Sequence, residues 1–196
     1  MHKRISMQSD KKEKRPLPKA MLDFDGVTID DITPHINKRF PNSDKGFARP
    51  YTELLFNLLR PFKNAGARLI TPHEIRLEKN ATEFMRTRTP SDLILCTSNT
   101  ILEKAKLKLA LEKEGVHGIS IHTVPNKNKI EIAKMEGATP VEDDPFVAIE
   151  AARKGVRVIL FERKYNKSIG KLLPHINRMI SNANSWDAVA KILSES

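Results

Sequence analysis

Residues 20–27 have the sequence AMLDFDGV, a short apolar run that ends in two acidic residues and a glycine. Such a run is typical of a strand that is buried on both faces of a parallel sheet. Asp23 and Asp25 then fall where the strand reaches the polar edge of that sheet. Gly26 lets the backbone turn away tightly and leaves room for a ligand. The segment therefore predicts a first core strand with a functional site at its carboxyl end.

Strand-like and helix-like segments alternate downstream of this strand. Further strands are predicted at residues 92–96, 118–124 and 156–161. Helices are predicted at residues 75–85, 101–114, 130–136, 146–154 and 185–193. Alternation of this kind favours right-handed crossovers between parallel strands. The predicted fold class is therefore α/β, with a doubly wound parallel sheet.

Two further groups of polar residues follow strand-like segments. The first group, after the strand at 92–96, consists of Thr97, Ser98 and Asn99. The second group, after a short turn-and-strand segment, consists of Glu142, Asp143 and Asp144. Ligands of parallel α/β sheets bind beyond the carboxyl ends of the strands, so we expect both groups to meet Asp23 and Asp25 at one edge. Carboxylates gathered there repel unless a cation or a proton lies among them, and oxygen ligands without His or Cys suit Mg²⁺.

These residue types point to phosphoryl transfer. A carboxylate nucleophile, a cation and a hydroxyl donor are the components of transfer through an aspartyl phosphate. Of two carboxylates two residues apart at a strand end, one attacks phosphorus while the other exchanges a proton with the leaving oxygen. A protein cation is also needed against the phosphoryl oxygens. Lys127 and Lys129, before the predicted helix at 130–136, are both candidates, and the sequence does not choose between them.

The order of these residues resembles the four motifs of the haloacid dehalogenase (HAD) superfamily. The matching segments are Asp23-Phe24-Asp25-Gly26-Val27, Leu95-Cys96-Thr97-Ser98, Lys127 or Lys129, and Asp143-Asp144. The resemblance covers residues 20–190. It implies a Rossmann-like HAD core with a small helical cap insert, and a phosphatase or phosphotransferase that requires Mg²⁺.

The resemblance also implies a role for each matched residue. It makes Asp23 the nucleophile and Asp25 the general acid and base. It assigns the substrate phosphate to Thr97 and the Ser98 amide, and charge balance to one of the two lysines. The implied metal ligands are Asp23, Asp25, Asp143 and Asp144.

Several of these residues have a second interpretation. Asp144 precedes Pro145, and Asp followed by Pro is a common helix start that needs no ligand. Thr97, Ser98 and Asn99 are suited to capping the next helix, which is compatible with binding phosphate there. Glu142 is expected at the surface of a strand end, and a supporting position behind the metal site is the alternative.

The chain between Asp25 and Thr97 is longer than one crossover helix requires. The surplus, residues 33–73, is expected to form the cap insert, which would select the substrate and exclude water. Its candidate substrate contacts are Phe40, Phe47 and Arg49, since an arginine suits phosphate and an aromatic ring can stack on a base. The segments at 95–98, 142–145, 158–166 and 184–186 also resemble the deoxyribonucleotidase-type branch of the superfamily. That resemblance implies nucleoside monophosphates as substrates.

The net charge of +10 is unevenly distributed over the 196 residues. Residues 1–19 carry +5, residues 20–32 carry −4 and residues 33–90 carry +6. The first stretch is predicted to be a disordered basic tail, either simply solvated or in weak contact with nucleic acid. A positive insert that faces an acidic site suits a small anionic substrate.

Composition also limits the expected location of the protein. No apolar run approaches the roughly 18 residues of a membrane span, and the N-terminus lacks the apolar segment of a secretory signal. The single cysteine, Cys96, forms no intrachain disulfide. We therefore expect a cytoplasmic protein without membrane contact.

The expected function is that of a Mg²⁺-dependent phosphomonoesterase that forms an aspartyl phosphate and acts on nucleoside 5′-monophosphates. Another small phosphometabolite, or a phosphorylated nucleic-acid end, is the alternative substrate. A phosphatase-fold binding module without activity is the alternative from another functional class.

Overall fold

A computed structural model of the chain describes residues 18–24, 28, 75, 77–97, 104–163 and 166–195. Nearly all of the predicted basic tail (1–19) and all of the predicted cap insert (33–73) lie outside these residues. The described part contains a six-stranded sheet in which every neighbouring pair of strands is parallel. None of the described helices is long and apolar enough to cross a membrane.

Strands and helices alternate along the described chain. The strands are β1 (Ala20–Asp23), β2 (Leu93–Thr97), β3 (Ser120–Thr123), β4 (Thr139–Glu142), β5 (Val158–Phe161) and β6 (Ile180–Ala183). The helices are α1 (Lys79–Arg86), α2 (Lys104–Lys113), α3 (Asn126–Met135), α4 (Pro145–Arg153), α5 (Lys167–Ile176) and α6 (Trp186–Ser194). The order across the sheet is β3-β2-β1-β4-β5-β6. Strand β1 is therefore central, and the chain passes from β3 at one edge to β4 on the far side of β1.

Both faces of the sheet are covered by helices. Successive strand residues face opposite sides, so Met21 and Leu22 enter two different cores. Leu22 belongs to a buried cluster with residues of α1, α2 and α6. Met21 belongs to a second cluster with residues of α3, α4 and α5. A parallel sheet with helices on both faces is doubly wound, so the predicted α/β fold class is confirmed.

Helix α5 and strand β6 are two elements that the sequence does not predict. Helix α5 contains Gly170 and Pro174, and both residue types oppose helix formation. Pro174 has no N–H for the carbonyl of Gly170 four residues earlier. Asn182 Nδ2, in β6, donates a hydrogen bond to that carbonyl instead. A tertiary contact thus replaces the hydrogen bond that the local sequence cannot make.

Helix α3 begins four residues earlier than its apolar pattern predicts. The predicted helix begins at residue 130, whereas α3 begins at Asn126. The apolar pattern marks only the part that packs on the sheet, where Ile130 and Ala133 are fully buried. Lys127 and Lys129 consequently lie within the first turn of α3. The prediction that they precede the helix was wrong.

Candidate functional site

The candidate site lies at the carboxyl ends of β1 and β4. Asp23 is the last residue of β1 and Glu142 is the last residue of β4, and these strands are neighbours in the sheet. From β1 the chain continues to β2 and β3 on one side, and then crosses to β4 on the other side. Connections that diverge in this way leave a crevice at the carboxyl edge, which is where open α/β sheets bind ligands.

Three acidic side chains converge at this edge of the sheet. Asp23, Glu142 and Asp143, here called the acidic cluster, each offer a carboxylate oxygen, and these oxygens lie within 4.8 Å of one another. The three residues are 5%, 0% and 9% exposed. Negative charges this close and this well shielded from water repel each other strongly. Positive charge must therefore be part of the site.

Lys129 supplies positive charge from the first turn of α3. Its side chain is 2% exposed. Its Nζ donates a hydrogen bond to Asp23 Oδ1 at 2.6 Å and lies 3.8 Å from Glu142 Oε2. Burial by itself lowers the pKa of a lysine, but the charges of Glu142 and Asp23 outweigh burial and raise the pKa of Lys129. Lys129 is therefore a cation throughout the physiological pH range.

One ammonium group does not balance the acidic cluster. With all three carboxylates ionised, Lys129 leaves two negative charges of the cluster uncompensated within the described part of the chain. Burial raises the pKa of Glu142 well above its usual range, against the opposing effect of Lys129. Burial, together with the charges of Asp23 and Asp144, does the same to the pKa of Asp143. The cluster therefore favours the uptake of a proton or a further cation.

The donor set of the acidic cluster fits a divalent cation. Carboxylate oxygens without His or Cys are ligands for hard ions such as Mg²⁺. Both carboxylate oxygens of Glu142 are buried and accept no hydrogen bond within the described part of the chain. A buried carboxylate without donors is costly, and contact with a cation would compensate it. One divalent ion also matches the two uncompensated charges.

Glu142 is a candidate site residue that the sequence did not assign to the metal. The expectation that it lies at the surface was wrong, since it is fully buried. Leu22 of β1 pairs with Val141 of β4, which brings the next residues, Asp23 and Glu142, side by side. In a sheet that is covered on both faces, even the last residue of a central strand is enclosed. The position of Glu142 at the end of such a strand was the signal that could have identified it.

Asp144 acts as the N-cap of α4. Its Oδ1 accepts hydrogen bonds from the Phe146 N–H at 2.8 Å and the Val147 N–H at 3.4 Å, and Pro145 is the first helical residue. The capping interpretation of Asp144 is therefore confirmed. The group of converging carboxylates in the described residues contains Asp143 and does not contain Asp144.

Replacing Asp144 by Ala is expected to lower the free energy of unfolding by about 1 kcal/mol, because two N–H groups at the start of α4 lose their acceptor. Asp144→Asn keeps the acceptor and removes the charge, so its free energy of unfolding is expected to stay within a few tenths of a kcal/mol of wild type. Urea denaturation in metal-free buffer measures both values. Equal losses in the two variants would show that the cap does not contribute.

The other sequence-predicted residues fall into two groups. Thr97 is fully buried at the end of β2, one residue beyond Cys96, the partner of Asp23 in the strand register. The structure thus brings Asp23, Asp143 and Lys129 together, with Thr97 on the adjacent strand. The candidates that lie outside the described residues are Asp25, Gly26, Phe40, Phe47, Arg49, Ser98 and Asn99. Lys127 is described only as backbone within α3.

Cys96 lies in β2 beside the site and is fully buried. Burial raises the pKa of its thiol to about 12, and the charges of Glu142 and Asp23 act in the same direction against that of Lys129. Since the thiolate is the reactive form, Ellman's reagent at pH 8 is expected to modify the folded protein at least about 10³-fold more slowly than the urea-unfolded chain. One thiol per chain should react in urea. Comparable rates in the two states would contradict the burial of Cys96.

Comparison with known proteins identifies no relative. No protein-family model, no curated protein and no solved structure matches the chain.

Proposed function

We propose that this chain is a Mg²⁺-dependent phosphomonoesterase that acts through an aspartyl phosphate on Asp23. The observation that carries the proposal is the convergence of three buried carboxylates on one buried ammonium at the carboxyl ends of β1 and β4. A structural ion pair needs one acid for each base, whereas among the described residues this cluster has two more acids than bases. The excess suits a site that binds a divalent cation together with a phosphate ester.

In the proposed site Asp23, Glu142 and Asp143 would hold the metal, with Asp25 as the further ligand that the sequence suggests. Asp144, which the sequence also suggests, caps α4 instead. When bound, Mg²⁺ supplies positive charge against the phosphoryl oxygens. Lys129 adds a second, fixed positive charge and holds Asp23 Oδ1 at 2.6 Å. Lys129 is preferred over Lys127 for this role because of that contact. The hydroxyl of Thr97, at the end of the adjacent strand, is assigned to the phosphate.

In the first chemical step a carboxylate oxygen of Asp23 attacks phosphorus, and the bond from phosphorus to the ester oxygen breaks. Asp25 donates a proton to the departing oxygen, so the alcohol leaves neutral. In the second step Asp25 takes a proton from water while the water oxygen attacks the aspartyl phosphate. Inorganic phosphate leaves and the carboxylate of Asp23 is restored. Asp23 and Asp25 thus divide nucleophilic and acid–base chemistry between two neighbouring carboxyl groups.

Nucleoside 5′-monophosphates are the proposed substrates. The support for this choice is the positive charge of residues 33–90 and the aromatic and basic residues Phe40, Phe47 and Arg49. A small dianionic ester suits both a site that requires a metal and a chain whose residues 33–90 carry net positive charge. A terminal phosphate on a nucleic acid is the same kind of ester. For such a substrate, the basic tail (residues 1–19) would bind the nucleic acid.

Phosphate release tests this proposal directly. The full-length protein is incubated with nucleoside monophosphates, sugar phosphates and oligonucleotides that carry a 3′- or 5′-phosphate, with Mg²⁺ or with EDTA. Release that requires Mg²⁺ and is fastest with a nucleoside 5′-monophosphate is the expected result. Release that is fastest from the oligonucleotides and falls when residues 1–19 are deleted is the alternative result. That result would identify phosphorylated nucleic-acid ends as the substrates.

Two outcomes would contradict the enzymatic proposal itself. One is the absence of phosphate release from every ester with every divalent cation tried, which would favour a binding module. The other is release that proceeds equally well in EDTA, which would separate any activity from the acidic cluster.

A further inference from the structure

A chain of hydrogen bonds begins at the backbone of Asp23 and leads away from the acidic cluster. The carbonyl of Asp23 accepts a hydrogen bond from the Thr28 hydroxyl at 2.6 Å, and Thr28 is fully buried. The carbonyl of Thr28 in turn accepts from the backbone N–H of Glu78 at 2.9 Å. Glu78 immediately precedes α1. The end of β1 is thus tied to the start of α1.

The side chain of Glu78 continues the connection to the segment after β5. Arg163 Nη2 donates a hydrogen bond to Glu78 Oε2 at 2.8 Å, and the two side chains are 12% and 24% exposed. The guanidinium of Arg163 also lies over the ring of Phe161, 4.7 Å from its centre. An ion pair that is stacked and largely shielded from water is better defined in geometry than a surface pair.

Asn166 connects the backbone of Arg163 to the backbone of Asp143 in the acidic cluster. Its Oδ1 accepts a hydrogen bond from the backbone N–H of Arg163 at 2.7 Å. Its Nδ2 donates to the carbonyl of Asp143 and to that of Phe161, both at 2.8 Å. The residue is 1% exposed. Asn166 therefore holds the backbone of Asp143 in place relative to the end of β5.

We infer that Thr28, Glu78, Arg163 and Asn166 form a positioning clamp, which sets the separation of Asp23 and Asp143 and thereby the metal affinity of the acidic cluster. The inference rests on the proposed metal site. Thr28 and Asn166 donate hydrogen bonds to the backbone carbonyls of Asp23 and Asp143, and Glu78 and Arg163 link these two residues. Groups that orient metal ligands in this way commonly change metal affinity by 10–100-fold when they are removed.

Electrostatics and positioning predict opposite effects for one member of the clamp. Removing the positive charge of Arg163 near an acidic site would strengthen cation binding if only long-range charge mattered. If the side chain of Arg163 acts by holding Glu78 in place, its loss weakens cation binding. Removing the negative charge of Glu78 weakens binding on either account. Arg163→Met is therefore the decisive variant.

The test measures Mn²⁺ binding to the full-length protein without substrate, by isothermal titration calorimetry and by the loss of the free Mn²⁺ EPR signal. The variants are R163M, E78Q, the double variant E78Q/R163M and N166D, which keeps the size of the side chain and removes its two donated hydrogen bonds. The matched controls are K154M and E131Q, which open an exposed ion pair of 3.0 Å. All measurements are made well below the thermal midpoint of each variant.

R163M and E78Q are each expected to raise the Kd for Mn²⁺ about tenfold, and N166D by at least as much despite its added negative charge. Because Glu78 and Arg163 act through one contact, the Kd of the double variant for Mn²⁺ is expected to be no higher than the larger of the two single-variant values. The controls should remain within twofold of wild type. Unchanged or tighter binding by R163M would overturn the clamp while leaving the metal site intact. A wild-type protein that binds no Mn²⁺ would instead overturn the proposed metal site, and the clamp with it.

Discussion

Replacing Asp23 by Asn is expected to lower kcat/KM for phosphate release by at least about 10³-fold, because the amide is a poor nucleophile for phosphorus. The substitution also removes the negative charge that Asp23 presents to Lys129 and replaces one carboxylate oxygen by an NH2 group, while the remaining oxygen can still accept the Lys129 hydrogen bond. Asn has the same shape as Asp, and Glu142 remains 3.8 Å from Lys129. The fold is therefore expected to survive, and the loss should lie in the chemical step. Steady-state release of inorganic phosphate from the best substrate, at saturating Mg²⁺, measures it.

Asp187→Asn is the matched control for this variant, since it makes the same chemical change at an exposed residue in the first turn of α6. Its kcat/KM should equal that of wild type, and circular dichroism should show the same fold for both variants. If Asp23→Asn retained more than a tenth of the wild-type rate, Asp23 would not be the nucleophile. The proposed two-step mechanism would then be wrong even if a metal binds the cluster.

The central part of the fold could be predicted from the sequence because its strands are short apolar runs in a sheet covered on both faces. The runs at β1 and β2 contain fully buried residues on successive positions, which only such a sheet explains. The closing helix was also predicted, and Ser185 Oγ caps it by accepting a hydrogen bond from the Ala188 N–H at 3.2 Å. The elements that escaped prediction depend on contacts between distant residues, as in the hydrogen bond from Asn182 to the carbonyl of Gly170.

The candidate site was predictable in part for the same reason. Asp23 and Asp143 lie where two strands end, and strand ends can be located from the apolar runs before them. The choice between Lys127 and Lys129 depends on where α3 begins, and the apolar pattern of a helix does not mark a polar first turn. The clamp could not be predicted from the sequence, because it joins Glu78 to Arg163 across 85 positions of the chain. No local pattern distinguishes that pair from the exposed ion pairs of the surface.

Glu142 and Lys129 connect the folding of this chain to its proposed chemistry. Lys129 is the described cation that lies within the acidic cluster, and it is as deeply buried as the hydrophobic residues around it. A buried charge is stable only with its partners present, and removing one partner of a buried pair leaves the others uncompensated. The stability of the metal-free protein should therefore depend on Lys129 far more than on any surface lysine.

Replacing Lys129 by Met is expected to lower the free energy of unfolding by about 3–5 kcal/mol in metal-free buffer, because it leaves three buried carboxylates without their ammonium. Mg²⁺ should restore part of this loss, since it binds the folded cluster and no longer competes with the ammonium of Lys129. Urea denaturation of wild type and variant, each with Mg²⁺ and with EDTA, measures both effects. Lys154→Met, at an exposed ion pair, is the control and should cost less than about 1 kcal/mol. A Lys129→Met protein as stable as wild type in EDTA would mean that the carboxylates are already neutral. If Mg²⁺ stabilised neither the variant nor wild type, the ion would not bind among these carboxylates.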